Sequence, residues 1–256
     1  MKRGKQMNVK SAVYTAQQTE EVKKAIEEKF GSLDKAVISK HTNEYVQFDI
    51  FGIDSKNFDV NVWATVGVGA RDHTRPFSDV KRAEIIMVTT KAIDIDSDKA
   101  QVLSQQLSEI TKNPFETEWW CGYGDIVNAR DDFKELFGYD GFTFVPEGLM
   151  VEVSEIGKVE YVVVVPIFKD EMKYIEENGG AAFLEPFAKE SKKFLLNVDV
   201  RRKRWLPKKR KWKWKKKKSD MEDILMSLFD PTTEEAANVN DWFLENKNSE
   251  DDESIE

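Results

Sequence analysis

The stretch Leu149-Met150-Val151-Glu152-Val153-Ser154-Glu155-Ile156-Gly157-Lys158-Val159-Glu160-Tyr161-Val162-Val163-Val164-Val165-Pro166-Ile167-Phe168 decides the kind of sheet this chain builds. Two apolar runs, Leu149 to Ile156 and Val159 to Phe168, are parted only by the turn residues Gly157-Lys158, the pattern of a β-hairpin. Its return run, Tyr161-Val162-Val163-Val164-Val165, has the β-branched density of a central strand. The same run, extended to Phe168, is the most apolar in the chain and is far shorter than the ~20 residues a membrane-crossing helix needs.

Upstream the alternation recurs. Val46, Phe48 and Ile50, the turn-rich Asp54-Ser55-Lys56-Asn57, then Phe58, Val60, Val62 and Ala64 predict another hairpin, and Ala83 to Thr89 is apolar enough for an inner strand. Helical spacing covers Ser11 to Phe30, with Thr19-Glu20-Glu21-Val22 as cap and Gly31 as stop, and again Ser97 to Lys112, with Ala100, Leu103, Leu107 and Ile110 inward. Ile126 to Pro146 reads as irregular. Asp170 to Asn178 predicts a short helix closed by Gly179-Gly180, and Ala181 to Leu196 a last one, with Pro186 tolerable only in its first turn or two. Helices and hairpins interleave without a βαβ period or an internal repeat, so the fold class expected is α+β, a mostly antiparallel sheet covered by helices.

The 256 residues, 40% apolar, suffice for one substantial core and a surplus. A single cysteine excludes an intramolecular disulfide framework, and with only two histidines, His41 and His73, a structural zinc site is not expected. No cofactor is implied. The basic start (Lys2, Arg3, Lys5) is not followed by an apolar run of signal-peptide length, so the expectation is a cytoplasmic protein without a membrane span. Charge is blocked: residues 201–218 hold thirteen Lys/Arg and no acid, and residues 219–256 hold thirteen acids against one Lys, which leaves −9 of the total −8 on residues 1–200. The division expected is an arm at 1–10, a domain at 11–204, a basic Lys/Trp linker at 205–218 and an acidic tail at 219–256 with one or two short helices.

Four stretches are weighed for function. Glu118-Trp119-Trp120-Cys121-Gly122-Tyr123-Gly124-Asp125 reads as an aromatic-anchored bend, whose tryptophans fill either the core or a partner's pocket. Arg71-Asp72-His73-Thr74-Arg75 is a polar loop, either a contact site or a solvated connection. The contact candidates are therefore Arg71, Asp72, His73, Arg75, Trp119, Trp120, Tyr123 and Asp125. Cys121 with His73 and Asp125 would make a thiol nucleophile only if the three met in space; a lone buried cysteine is the reading adopted, and no catalytic residue is assigned. Gly67-x-Gly69 lacks any phosphate-binding fingerprint. The fourth is the basic run: Arg201, Arg202, Arg204, Lys208, Lys209, Arg210, Lys211, Trp212, Lys213, Trp214 and Lys215 combine phosphate-seeking charge with stacking rings, suited to nucleic acid or an anionic surface, unless the acidic tail folds back and neutralises it.

The order of several motifs resembles the Suppressor-of-fused-like domain family in its small bacterial form. They are Val60-Asn61-Val62-Trp63-Ala64-Thr65-Val66-Gly67, Arg82-Ala83-Glu84-Ile85, the Trp119-Trp120-Cys121-Gly122-Tyr123-Gly124 bend, Val164-Val165-Pro166-Ile167, Glu171, and Gly179-Gly180 followed by Phe183-Leu184. The likeness covers roughly residues 10–204, and the run from Arg201 onward departs from the compact pattern. It implies a cytoplasmic, non-enzymatic interaction domain, and for bacterial members an immunity protein (antitoxin) that binds and silences a cognate polymorphic toxin, often of the LXG type and often a nuclease. Eukaryotic relatives hold a transcription factor between two lobes, and this chain has length for one. The alternative from another class is a nucleic-acid-associated adaptor acting through residues 201–218.

Overall fold

The computed structural model describes residues 11–33, 37–55, 60–73, 80–94, 97–116, 124–190 and 204–206. In chain order the elements are α1 (Ala16–Phe30), β1 (Val37–Thr42), β2 (Gln47–Ser55), β3 (Val60–Val66), a 3-10 turn (Val68–Ala70), β4 (Arg82–Thr90), α2 (Asp98–Ile110), α3 (Asn113–Glu116), β5 (Ile126–Asn128), α4 (Asp131–Phe137), β6 (Gly141–Val153), β7 (Gly157–Ile167), α5 (Lys169–Asn178) and α6 (Gly180–Glu190). The strands form one seven-stranded sheet in the order β1-β2-β3-β4-β7-β6-β5. Every neighbouring pair is antiparallel except β4 and β7, which run parallel with Arg82 opposite Val159. The expected fold class is the one found.

Helices cover both faces. On one face Val22, Ile26 and Phe30 of α1 and Phe183, Leu184 and Phe187 of α6 meet Val62, Ala64, Val66, Ile86, Val163 and Val165. On the other, Leu103, Leu107 and Ile110 of α2 and Phe133 and Phe137 of α4 meet Trp63, Ile85, Met87, Val162 and Val164. Adjacent residues of β3, β4 and β7 thus serve different cores, which is why β4 and β7 read as continuous apolar runs. Burying each of Val22, Ile26 and Phe30 completely is worth about 1.5–3 kcal/mol, and that holds α1 in place.

Several boundaries differ from the sequence reading. The cap of α1 is Thr15, in a reciprocal box with Gln18, and not Thr19; Ser11 to Tyr14 runs instead as an extended lead, Ala12 bridging Val46. The hairpin turn is Ser154-Glu155-Ile156, since Gly157 and Lys158 already pair with Val153 and Glu152. A tertiary contact selects this turn: the Glu21 carboxylate accepts the Ser154 N–H at 2.7 Å and hydroxyl at 2.5 Å, and Gln18 Nε2 donates to the Ser154 carbonyl at 2.9 Å. The region read as irregular from Ile126 to Pro146 holds β5, α4 and the first half of β6. Its strand escaped notice because Pro146 interrupts it; the register slips between Pro146 and Met150, and such an irregularity is how a strand tolerates proline. β1, between Gly31 and Tyr45, has no counterpart in the sequence reading either.

Candidate partner-contact site

Where β3 and β4 part, a buried carboxylate organises the chain. Glu84 has no exposure and accepts five hydrogen bonds: from the Tyr14 hydroxyl (2.9 Å), the Thr65 hydroxyl (2.6 Å) and the backbone N–H groups of Gly67 (2.9 Å), Val68 (3.2 Å) and Gly69 (3.0 Å). Thr65 Oγ1 in turn accepts the Ile85 N–H at 2.8 Å. Consecutive N–H groups of this kind form an anion-holding concavity. The Gly67-x-Gly69 sequence, without a phosphate fingerprint, therefore wraps the chain's own carboxylate. Gly67 sits at φ 127, and a Cβ there would lie 2.7 Å from Phe48 Cα, so the turn admits only glycine. Burial pushes the Glu84 carboxyl above the usual range, opposed by the donors from Thr65, Gly67, Gly69 and Tyr14. Tyr14 is raised as well, by its own burial first and by the Glu84 charge second.

The polar loop continues from this cradle. Arg82 Nη1 donates to the Gly69 carbonyl at 2.9 Å while Nη2 pairs with Asp72 at 2.6 Å, and the His73 N–H donates to the Lys81 carbonyl at 2.7 Å. Arg71 lies 5.4 Å from the Tyr45 ring centroid and 5.7 Å from that of Phe115; the two rings stack at 5.0 Å. The buried His73 ring leans on Phe115 at 4.6 Å. Ala12 fixes the aromatic pair from behind, donating to the Tyr45 carbonyl at 2.9 Å and accepting from Gln47 at 2.9 Å. Burial, followed by the charge of Glu44, raises the Tyr45 phenol.

Phe115 comes four residues before Trp119, so the loop at Arg71 and the root of the aromatic bend, separate in sequence, adjoin in space. Trp119, Trp120, Cys121, Tyr123 and Arg75 lie outside the described residues. At the other end of the bend Gly124, at φ 88, is so close to Gly180 that an added Cβ would lie 2.7 Å from the Gly180 nitrogen; Asp125 follows it, half-buried, beside β5.

Of the basic run, Arg204 is described, and Arg201, Arg202, Lys208, Lys209, Arg210, Lys211, Trp212, Lys213, Trp214 and Lys215 are outside the described residues, as is the acidic tail. Arg204 lies over the Phe168 ring at 5.6 Å. Trp205, set by the sequence reading at the start of the linker, is packed on the body against Phe183 at 5.4 Å and Phe187 at 5.3 Å, and its N–H donates to the buried Glu171 at 2.8 Å. Between α2 and α4 lies an open groove of about 370 Å³ lined by Asp98, Lys99, Val102, Asp132, Glu135 and Leu136. Among the described residues no three His, Cys, Asp or Glu side chains gather as a metal site, and no helix is long and apolar enough to cross a membrane.

The family model for the Suppressor of fused protein matches residues 44–203, well over half of the chain. The chain belongs to the Suppressor of fused family. Among solved structures it is similar to the Sufu–Fu complex crystal structure, at 11% identity over 61% of this chain and 76% of that one, with a TM-score of 0.45. It is similar also to Drosophila Suppressor of Fused, at 16% identity over 61% of this chain and 42% of that one, with a TM-score of 0.44. A comparison with curated proteins gives no match. The Suppressor of fused match begins after α1 and β1, so Tyr14 reaches the Glu84 cradle from outside the matched region.

Sequence reasoning singled out Arg71, Asp72 and His73 as contacts, took Thr65 and Glu84 only as part of the family likeness, and passed over Tyr14, Tyr45 and Phe115. One signal was available. Glu84 is the sole acid in the run Ala83 to Thr89, and an acid inside an apolar strand must have partners waiting for it.

Proposed function

We propose that this Suppressor of fused family chain is a cytoplasmic protein-binding module that serves as an immunity protein. It binds a cognate polymorphic toxin, of the LXG type and with nuclease activity, in a stoichiometric complex, and acts by occupancy without turnover. The observation that carries the reading is the family match over residues 44–203, the family being one of interaction domains. The contact surface proposed is the Arg71–Arg75 loop with the Trp119 to Asp125 bend. Its described part is fixed before any partner arrives, through Glu84, Arg82 and the Tyr45–Phe115 stack, so little ordering cost remains on docking. Arginine beside aromatic rings is also the composition in which binding energy concentrates. The charge of −9 on residues 1–200 would speed the encounter with a basic nuclease face and occupy the path its polyanionic substrate takes.

The test is co-expression of the full chain with the product of its neighbouring reading frame. The expected outcome is protection of the cells and a 1:1 complex by light scattering, both lost when Arg71→Glu and Asp72→Lys are combined and both kept in Cys121→Ala. A chain that never protects and never co-purifies with that product ends the proposal. A second reading, a nucleic-acid-associated adaptor, is favoured by the Lys/Arg run interleaved with Trp212 and Trp214. It requires binding to labelled DNA or RNA that falls steeply with salt and vanishes when residues 207–256 are deleted, with protection intact if the run is accessory.

A further inference from the structure

Among the described residues three arginines are half-buried, and two are committed. Arg82 bonds the Gly69 carbonyl and Asp72; Arg130 forks onto Asp132 at 3.0 and 2.9 Å and also reaches Gln105. Arg71 is different. Its guanidinium is half-buried against two stacked rings, yet among the described residues no carboxylate pairs with it. The rings lie close to the cation, and among the described residues no oxygen accepts from its N–H fork.

We infer that Arg71, seated on the Tyr45–Phe115 stack, is a receptor for a single carboxylate, an Asp or Glu side chain that a protein partner inserts into its fork. This rests on the reading of the loop as a contact surface and adds the chemistry the partner must present. A guanidinium packed against aromatic rings has lost part of its freedom before a partner arrives, which lowers the cost of forming two parallel N–H···O bonds. The surroundings select a single carboxylate over a phosphate chain. Glu44 and Glu116 bear on the Tyr45 phenol, as Arg71 does, and the exposed Asp72 beside it in sequence is paired with Arg82, so acidic side chains stand near Arg71. A polyanion would be repelled there; one carboxylate meets one fork.

The experiment needs no toxin. The full chain with 15N-labelled arginine is titrated at low salt with the capped peptide acetyl-Gly-Gly-Glu-Gly-Gly-amide, with its glutamine counterpart, and with the oligonucleotide dT10, while the arginine Nε–Hε resonances are followed. The expected result is a saturable shift at Arg71, larger than at Arg82 or Arg130, with the glutamate peptide alone. R71K, which keeps the charge and loses the fork, should also lose the accompanying shifts of the Tyr45 and Phe115 rings. The inference is overturned if the glutamine peptide acts equally, if Arg71 moves no more than the other arginines, or if dT10 moves it as strongly. A chain that fails to protect against the toxin leaves this result standing, whereas an unmoved Arg71 in a chain that does protect removes the carboxylate alone.

Discussion

Glu84 and Glu171 are both wholly buried, the first on β4 opposite Tyr161 of β7 and the second in α5 just past the end of β7, and each receives backbone N–H groups. Glu171 is the third residue of α5; among the described residues it accepts the Phe168 N–H at 2.9 Å, a local cap bond, and the backbone N–H of the distant Trp205 at 2.8 Å. Glu84 has no local partner: its five donors come from residues fifteen to seventy positions away. One acid finishes a helix and secures the start of the C-terminal run. The other joins the N-terminal lead, the end of β3 and the contact loop into a single unit. A buried charge thus acts as a cap or as a keystone according to how far away its donors lie in sequence.

The comparison breaks first at Glu84. Glu84→Ala would strand five buried donors and should cost about 3–5 kcal/mol in urea unfolding. Glu84→Gln, which keeps the volume, should cost less but still raise amide exchange at Gly67 to Gly69. A loss under about 1 kcal/mol for the alanine variant would show that the cradle is not holding the loop. Next comes Trp205→Ala, which removes a half-buried ring from Phe183 and Phe187: about 2 kcal/mol is expected, together with faster proteolysis after residue 190. If stability is unchanged, the C-terminal run has no root on the body. Glu171→Gln should be milder, about 1 kcal/mol, because the amide oxygen can still accept a backbone N–H.

The smallest effect concerns pH and sets Glu84 against a half-buried acid, Glu21. Donors from Ser154, then Gln17, hold the Glu21 carboxyl below its ordinary value. Its contribution is therefore present above the ordinary glutamate range and lost as pH falls through the lowered pKa. Burial holds Glu84 above that range, so the folded state binds its proton more readily, and the contribution present at acid pH is lost as pH rises through the raised pKa. Glu21→Gln should flatten the acid limb of a stability–pH curve and Glu84→Gln the limb above it. The same change of slope in both variants would mean that the two groups do not differ as described.

Much of the scaffold was legible because its signals are local. Gly31 stops α1, Ser97 caps α2, and the valines of β7 announce an inner strand. What went unread was short or interrupted. α4 is seven residues long, although Asp131 and Asp132 at its start, Phe133 and Phe137 four apart, and Gly138 at φ 81 are helix signals. In β6, Pro146 broke the pattern. The contact loop was legible as a polar stretch but not as a fixed one, since Tyr14, Tyr45, Glu84 and Phe115 are spread over a hundred residues and acquire meaning only when the sheet brings them to one end.

By itself the sequence determined a helix-covered, mostly antiparallel sheet, the blocked charge from residue 201 onward and the likeness to the Suppressor of fused family, all of which depend on the order and spacing of neighbouring residues. Only the tertiary structure decided which turn closes the β6–β7 hairpin, where Trp205 anchors, and that a single buried carboxylate sets the loop carrying Arg71. The physical reason is the same in each case: a buried polar group must find its partners wherever the folded chain puts them, and their distance along the sequence does not enter.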